Sequence, residues 1–273
     1  MPARSGAYVH GHHESVLRSH RWRTVENSAA YLLPHLRPGA SLLDVGCGPG
    51  TMTADFAARL SPGAVVGIDT APDVVEQARA TAGAGPDAAR IEVADIRTWQ
   101  GGAPGPERFH VVQAHQVLQH VPDPVDVLRA MAARCVPGGL VAARDADYSV
   151  MTWFPRLPEL DRWLALYREA ARAAGGEPDA GPRLLHWARG AGFADVTASA
   201  STWCFATDAD RAWWGGMWAD RIVDSALARQ LVAAGRSTPG ELQDISDAWR
   251  RWSSTTDGVF FVTHGEILCR VPE

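Results

Sequence analysis

The stretch that decides the fold is Ser41-Leu42-Leu43-Asp44-Val45-Gly46-Cys47-Gly48-Pro49-Gly50. It is an apolar run that ends in a carboxylate and opens into three alternating glycines, which permit positive φ and carry no Cβ to hold a ligand away. The segment from Met52 to Leu60 has helical spacing, and a loop at a helix N-terminus favours a negatively charged group. The stretch therefore predicts a strand, a tight loop that contacts a carboxylate or a phosphate, and a helix.

Two more apolar runs end in carboxylates, Val65-Val66-Gly67-Ile68-Asp69 and Ile91-Glu92-Val93-Ala94-Asp95. Strands that alternate with helical segments predict βαβ units and a mostly parallel sheet, with a cofactor across the carboxyl ends of the strands. An acid at the end of the second strand can accept hydrogen bonds from ribose hydroxyls. A nicotinamide oxidoreductase is disfavoured, because the dinucleotide fingerprint G-x-G-x-x-G would need a glycine where Thr51 stands.

The pattern Asp44-x-Gly46-x-Gly48-x-Gly50 resembles the first motif of the class I S-adenosylmethionine-dependent methyltransferases. The segments from Phe109 to Pro124 and from Val136 to Arg144 are similar to the fourth strand, its loop and the fifth strand of the ubiquinone and menaquinone biosynthesis group of that family. His110 departs from this group, in which many members carry Asp. The resemblance covers roughly residues 40–145.

The resemblance implies an α/β fold, a Rossmann-like seven-stranded methyltransferase sheet with helices on both faces and a helical cap inserted between the last two strands. It implies S-adenosyl-L-methionine as the cofactor. In the family, the acids that correspond to Asp69 and Asp95 contact the ribose and the adenine amino group, and an arginine such as Arg23 pairs with the methionine carboxylate in some members. The cofactor-binding candidates are Arg23, Asp44, Gly46, Cys47, Gly48, Asp69, Thr70, Asp95, Ile96 and Ala114.

Four parts are predicted along the chain. Residues 1–40 form an N-terminal lid and a helix from Val16 to Leu36, residues 41–207 form the core, residues 208–257 form the cap, and residues 258–273 form a final core strand. The cap is predicted because Trp214, Trp218 and Ile222 recur at helical spacing. Nine of the eleven tryptophans follow residue 150, which favours an apolar, aromatic-tolerant pocket beside the cap.

Composition excludes several classes of protein. The chain has 273 residues, 46% apolar residues and a net charge of −5 with scattered Lys and Arg, so nucleic acid is not an expected partner. Its four cysteines show no paired spacing and are expected to be reduced, buried thiols. No apolar run reaches ~18 residues, so no membrane partner is expected. A cytoplasmic location is expected instead. A small-molecule substrate and a monomer or homodimer are expected.

Methyl transfer from a sulfonium is a direct displacement, which an enzyme assists mainly by orienting atoms ~3–3.5 Å apart. A group must take a proton from the nucleophile, unless an electron-rich carbon attacks. The catalytic candidates are His115 after the fourth strand, Asp145 and Tyr148 after the fifth, and His10 in the lid. The alternative for His115 is a loop histidine bonded to the backbone. For Asp145 and Tyr148 it is a solvated turn, and for His10 it is an ordinary chain terminus.

The substrate-binding candidates are Tyr8, His120, Trp153, Trp214 and Trp218, although helical spacing would place most of the tryptophans in a core. No metal is expected, since the histidines near His10 have only Glu14 as a neighbouring carboxylate and no cysteine.

The whole chain is similar to actinobacterial natural-product tailoring enzymes, some of which methylate an indole carbon in tryptophan-containing cyclic dipeptides. The resemblance implies methyl transfer to a small, largely apolar or aromatic metabolite. O- or N-methylation of another secondary metabolite or of a quinone precursor is an alternative. A second alternative is a catalytically inert cofactor-binding partner protein, which the presence of Asp44, Asp69 and Asp95 disfavours.

Overall fold

The computed structural model describes residues 22–85, 87–101 and 107–273. Tyr8 and His10, the predicted lid residues, lie outside the described residues, so their roles stay predictions. None of the helices in the described ranges has the length and apolar character that crossing a lipid bilayer requires.

The described residues form one mixed sheet of eight strands: β1 (Leu42–Val45), β2 (Val65–Asp69), β3 (Arg90–Val93), β4 (Phe109–His115), β5 (Cys135–Ala146), β6 (Thr152–Phe154), β7 (Asp195–Phe205) and β8 (Val259–Arg270). The order is β3-β2-β1-β4-β5-β8, with parallel pairing among the first five strands. Strand β8 runs antiparallel to β5, β6 and β7. The predicted Rossmann-like sheet is therefore confirmed, with one short strand, β6, added on the β5 side of β8.

Helices cover both faces of the sheet and extend beyond it. They are α1 (Val25–Ser28), α2 (Thr51–Leu60), α3 (Pro72–Ala82), α4 (Pro124–Ala133), α5 (Pro158–Ala173), α6 (Leu184–Ala191), α7 (Asp208–Asp224), α8 (Ala226–Ala233) and α9 (Pro239–Ser253). One apolar cluster packs α4 and α6 on one face of the sheet, and another packs α1, α2 and α3 on the opposite face.

The single helix expected from Val16 to Leu36 is wrong in its described part. Thr24 caps the four-residue helix α1 by accepting a hydrogen bond from the Asn27 N–H, and a separate 3₁₀ helix, Ala30–His35, follows. Ala29 separates the two with a non-helical backbone, at φ −141° and ψ 27°. Pro34 lies inside the second segment and lacks the N–H that a continuing α-helix would use.

Helices α7, α8 and α9 form the predicted cap between β7 and β8, and they pack with α5 around a cluster of tryptophans. The Trp163 ring meets the rings of Trp218 and Trp249 edge to face, with centroids 4.5 and 4.9 Å apart. Such aromatic pairs stabilise a core beyond the area they bury. Helix α8 was not predicted, because its eight residues include only a short apolar stripe.

Burial corrects two residue assignments. Trp153, a predicted substrate contact, is 3% exposed and stacks on Phe260 with ring centroids 5.4 Å apart, so it belongs to the apolar core. Cys204 is exposed, although all four cysteines were expected to be buried. It lies on β7 between the buried residues Trp203 and Phe205, and alternate side chains of a strand point to opposite faces.

Candidate active site

A cavity of about 690 Å³ lies at the carboxyl ends of β1 to β4. This volume falls within the range of small-molecule and cofactor sites. Nine of the ten predicted cofactor-binding residues line it: Arg23, Asp44, Gly46, Cys47, Gly48, Asp69, Thr70, Asp95 and Ile96. The parallel strands thus bring motifs that are far apart in the chain to one edge of the sheet.

The glycine loop after β1 is held against β2 by its own backbone. Gly46 and Cys47 donate N–H groups to the Ile68 carbonyl at 2.8 and 3.0 Å. Gly46 has a φ of +68°, and a Cβ at this position would lie 2.4 Å from Cγ2 of Val117. The loop therefore requires glycine at this position, and these two N–H groups are not donors to the anion that the sequence predicted.

Asp69 and Asp95 stand at the cavity, and Asp69 has capacity for further hydrogen bonds. The Asp69 carboxylate accepts from the N–H groups of Gly48 and Ala71, both at 3.1 Å. A carboxylate offers about four lone-pair sites, which leaves room for two hydroxyl donors. The Arg97 side chain donates to Asp95 and lowers the pKa of that carboxyl. Asp69 is therefore suited to accept hydrogen bonds from ribose hydroxyls, whereas both oxygens of Asp95 already accept from Arg97.

Asp44 lies deeper than the other two acids and is 2% exposed. Its carboxylate accepts from the Thr53 hydroxyl at 2.6 Å and from the Gln113 amide. Burial raises the pKa of Asp44 to about 7, and the two donors oppose that rise. These contacts tie β1 to α2 and β4, so Asp44 supports the glycine loop as well as lining the cavity.

Ala114 was predicted to contact the cofactor, but the structure does not bring it to the cavity. It is fully buried in β4, whereas its neighbours Gln113 and His115 line the cavity. The motif identified the end of the strand correctly but assigned the wrong face to the cavity. Side chains alternate between the two faces along a strand, which explains this error.

A second cavity, of about 30 Å³, lies between the sheet and the cap. Arg23, Gln116 and His120 line both cavities, so the two adjoin. Aromatic rings dominate the lining of the small cavity. Besides Arg23, the lining includes four of the predicted catalytic and substrate-binding residues, which are His120, Tyr148, Trp214 and Trp218.

A chain of hydrogen bonds crosses the junction between the cavities. Arg23 donates to the Gln116 amide oxygen at 2.6 Å, and the Gln116 nitrogen lies 2.8 Å from Nε2 of His264. Because arginine only donates, the amide nitrogen must donate to His264 Nε2, which leaves that imidazole neutral. Burial lowers the pKa of His264 well below its usual value. Gln116 has a φ of +54°, a strained backbone conformation that often occurs at functional sites.

A similar chain fixes His120. The Gln119 amide oxygen accepts from the Ala146 N–H at 3.2 Å, so its nitrogen donates to His120 Nε2 at 3.0 Å. Burial lowers the pKa of His120 to about 3, and the ring is neutral at physiological pH. The ring proton of His120 therefore lies on Nδ1, and the ring cannot accept a proton on the nitrogen that Gln119 occupies.

Asp145 is a predicted base that the structure does not bring to either cavity. It is fully buried and accepts from the Gln119 N–H at 3.0 Å, beneath the 3₁₀ turn Leu118–His120. Burial raises the pKa of Asp145 to about 7. Its contacts position the turn that carries His120.

Sequence reasoning missed Gln113, Gln116, Arg221 and His264, and also the ion pair between Arg144 and Glu266. That pair joins β5 to β8 at 3.2 Å, with side chains only 2% and 4% exposed. The Arg144 guanidinium lies 4.9 Å from the centroid of the Trp203 ring. The segment Thr263-His264-Gly265-Glu266 places two ionisable residues in the middle of a largely apolar strand, which was a signal for these contacts.

Among the described residues, no group of three His, Cys, Asp or Glu side chains is arranged to hold a metal ion. The residues that converge here are instead hydrogen-bonding and aromatic groups, which fit organic ligands.

Residues 17–198 match the Methyltransf_23 family, described as a methyltransferase domain. The matched segment is more than half of the chain, and the chain belongs to this family.

Two full-length relatives carry the same assignment. An uncharacterized methyltransferase of Schizosaccharomyces pombe is 30% identical in an alignment of 273 positions that covers 97% of each chain. A probable methyltransferase of Aspergillus luteorubrus is 30% identical in an alignment of 280 positions that covers 96% of each chain.

Solved structures share the fold. Phosphoethanolamine N-methyltransferase 2 of Haemonchus contortus has a TM-score of 0.54 and 15% identity, over 89% of this chain and 52% of that chain. A putative methyltransferase of Bacillus halodurans has a TM-score of 0.53 and 20% identity, over 89% of this chain and 98% of that chain. The predicted fold and enzyme class are confirmed, and S-adenosyl-L-methionine is the cofactor of this fold.

Proposed function

We propose that this methyltransferase transfers a methyl group from S-adenosyl-L-methionine to a small, largely apolar or aromatic metabolite of natural-product biosynthesis. The observation that carries the proposal is the junction of two unlike cavities. The larger one is bounded by strand-end carboxylates and the smaller one by aromatic rings. Arg23, Gln116 and His120, which line both, mark the place where donor and acceptor would meet.

The residues of the large cavity fit the donor. Asp69 would accept from the ribose hydroxyls, Asp95 from the adenine amino group, and Ile96, which is 5% exposed, would pack on the base. Arg23 would pair with the methionine carboxylate near the junction. When bound, S-adenosyl-L-methionine supplies an electrophilic methyl group.

The acceptor side requires orientation and, for an O- or N-acceptor, removal of a proton. His115 lines the large cavity and packs near Trp203 and His264, with ring centroids 5.8 and 6.2 Å away. It is the group we assign to proton removal. His120 would orient the acceptor as a donor, and Tyr148 would bound the small cavity.

Narrower assignments stay predictions. Methylation of an indole C3 would need no base before transfer, which suits a site whose neutral His120 and His264 are both engaged by amides. O- or N-methylation, a cytoplasmic location and a monomer or homodimer also remain to be tested.

The proposal is tested with methyl-labelled S-adenosyl-L-methionine and a metabolite extract of the host, analysed by mass spectrometry. We expect label in a small molecule whose mass has increased by one methyl group in place of a hydrogen. Asp69→Ala should lose most of the transfer, and Asp87→Ala, which removes an exposed carboxylate away from the cavity, should retain it. Tight donor binding with no label transferred to any fraction would support the inert partner protein instead.

A further inference from the structure

We infer that Gln116, with its amide oriented by His264, is a positioning residue that holds the positive charge of Arg23 at the junction of the two cavities. This inference rests on the proposed function, in which the methionine carboxylate of the donor lies near Arg23. It is carried by the hydrogen bonds between these three side chains and by the backbone that presents Gln116 to them.

Gln116 has an unusual backbone conformation directly after β4. Its φ is +54°, and no other non-glycine residue in the described ranges has a positive φ. This left-handed conformation is unfavourable for a residue with a Cβ and persists only where the surrounding contacts enforce it. The Gln116 N–H donates to the Arg144 carbonyl of β5 at 2.7 Å, which fixes the turn. The turn thereby places Gln116 where it lines both cavities.

The imidazole that orients the amide is anchored in the sheet. His264 is fully buried in β8, which pairs with β5 on one side and with β7 on the other. Its ring packs against the Trp203 indole, with centroids 4.3 Å apart. The Gln116 amide nitrogen donates to Nε2 of this neutral ring at 2.8 Å. The amide oxygen must therefore point away from His264 and toward Arg23.

The other end of the hydrogen-bonded chain is Arg23. Its Nη2 donates to the Gln116 amide oxygen at 2.6 Å, and its side chain lines both cavities. A guanidinium is charged at physiological pH, so its electrostatic effect does not depend on which of its N–H groups are engaged. The position of the charge does matter, because Coulomb attraction weakens with distance. Gln116 would thus act on the donor carboxylate through Arg23.

Aromatic packing holds the backbone that carries Arg23. Trp22 meets the rings of Trp203 and Trp213, with centroids 5.1 and 5.2 Å apart. This packing fixes the neighbouring residue, whereas the long Arg23 side chain keeps many rotamers that are costly to restrict. The Gln116 hydrogen bond favours the rotamers that keep the guanidinium at the junction.

The test measures the affinity of the full-length protein, by calorimetry, for S-adenosylhomocysteine and for its decarboxylated form. We expect Gln116→Met to weaken binding of S-adenosylhomocysteine by about tenfold and binding of the decarboxylated form by less than about twofold. Gln116→Glu should retain the preference for S-adenosylhomocysteine, because a carboxylate also accepts from Arg23 and His264 can donate from Nε2 in its other neutral tautomer. His264→Phe should lose part of the preference, because the amide can then flip.

A double-mutant cycle separates positioning from a general structural role. If Gln116 acts through Arg23, the double variant Arg23→Met, Gln116→Met should bind S-adenosylhomocysteine no more weakly than Arg23→Met alone. The matched control is Gln100→Met. Gln100 also accepts from an arginine, Arg134, at 3.2 Å, but it lies outside both cavities, so this variant should bind both ligands as the wild type does.

Thermal unfolding will show which variants remain folded. Gln116→Asn, whose shorter side chain cannot span Arg23 and His264, replaces Gln116→Met if that variant does not fold. Equal weakening of the two ligands, unchanged binding of S-adenosylhomocysteine, or additive losses in the double variant would overturn the inference. A failure of the proposed function is distinct, because the wild type itself would then fail to bind S-adenosylhomocysteine or to transfer a methyl group.

Discussion

The two sides of the site are built in different ways. On the donor side, the carboxyl ends of β1, β2 and β3 and the turns that follow them contribute backbone turns and carboxylates around a cavity of about 690 Å³. On the cap side, side chains from α7, β7 and the turns after β4 and β5 close around about 30 Å³. The difference indicates that the donor site depends on local loop geometry and the acceptor site on long-range packing.

The largest expected effect concerns that packing. Phe260→Ala should destabilise the protein by about 3–5 kcal/mol, because Phe260 is fully buried against Trp153 and Trp214 and its loss leaves a cavity. Urea unfolding measures the change. The neighbouring Phe261 is 36% exposed and is the matched control, so Phe261→Ala should cost much less. Similar losses for both variants would contradict a cap that depends on this core.

The next prediction concerns the donor side and pH. Burial raises the pKa of Asp44 from 3.8 to about 7, so the folded protein retains a proton that the unfolded chain releases. The stability from that proton is complete below about pH 4 and is lost as pH rises through about 7, by about 2–4 kcal/mol. The free energy of unfolding of the wild type minus that of Asp44→Asn should therefore fall between these pH values.

His120 provides the opposite sign on the acceptor side. Burial lowers its pKa from 6.5 to about 3, so its contribution to stability is present above about pH 6.5 and is lost as pH falls. The free energy of unfolding of the wild type minus that of His120→Gln should therefore rise with pH between about 3 and 6.5. If the difference in the free energy of unfolding changed with pH in the same direction for Asp44→Asn and His120→Gln, the burial of one of these two side chains would be wrongly described.

A smaller effect is expected for donor affinity. Asp69→Ala should weaken S-adenosylhomocysteine binding by about 1.5–3 kcal/mol, or roughly tenfold to a hundredfold, because hydrogen bonds to a charged group are lost. Calorimetry measures this change. Asp87→Ala should leave the affinity unchanged, and so should Arg221→Met if donor and acceptor sites are separate. If Asp69→Ala bound S-adenosylhomocysteine as tightly as the wild type, the donor site could not lie at this edge of the sheet.

The smallest effect is expected for Arg97→Ala. Arg97 pairs with Asp95 at 2.5 Å, but the side chains are 34% and 30% exposed. A pair that is this accessible to solvent contributes about 0–1 kcal/mol to stability, since water and salt screen it. Thermal unfolding should therefore shift little, and a loss as large as that of Phe260→Ala would contradict this estimate.

Particular residues show how far the sequence could predict this site. The three strand-end acids were assigned correctly to one edge of the sheet, because parallel βαβ units can place them nowhere else. Ala114 was misplaced by one residue, since a strand pattern without clear polar alternation does not reveal which face is buried. His264 was missed because β8 lies more than a hundred residues from Gln116, and only pairing with β5 and β7 brings them together.

The sequence by itself determined the parallel half of the sheet, the glycine loop and the strand-end carboxylates that favour a nucleoside. Local patterns suffice for these features, because turn geometry and strand periodicity act over a few residues. Only the tertiary structure decided that Asp145 is a buried support, that two histidines are held neutral by glutamines, and that Arg221 faces an aromatic cavity. These properties depend on burial and on contacts between distant segments, which no local pattern encodes.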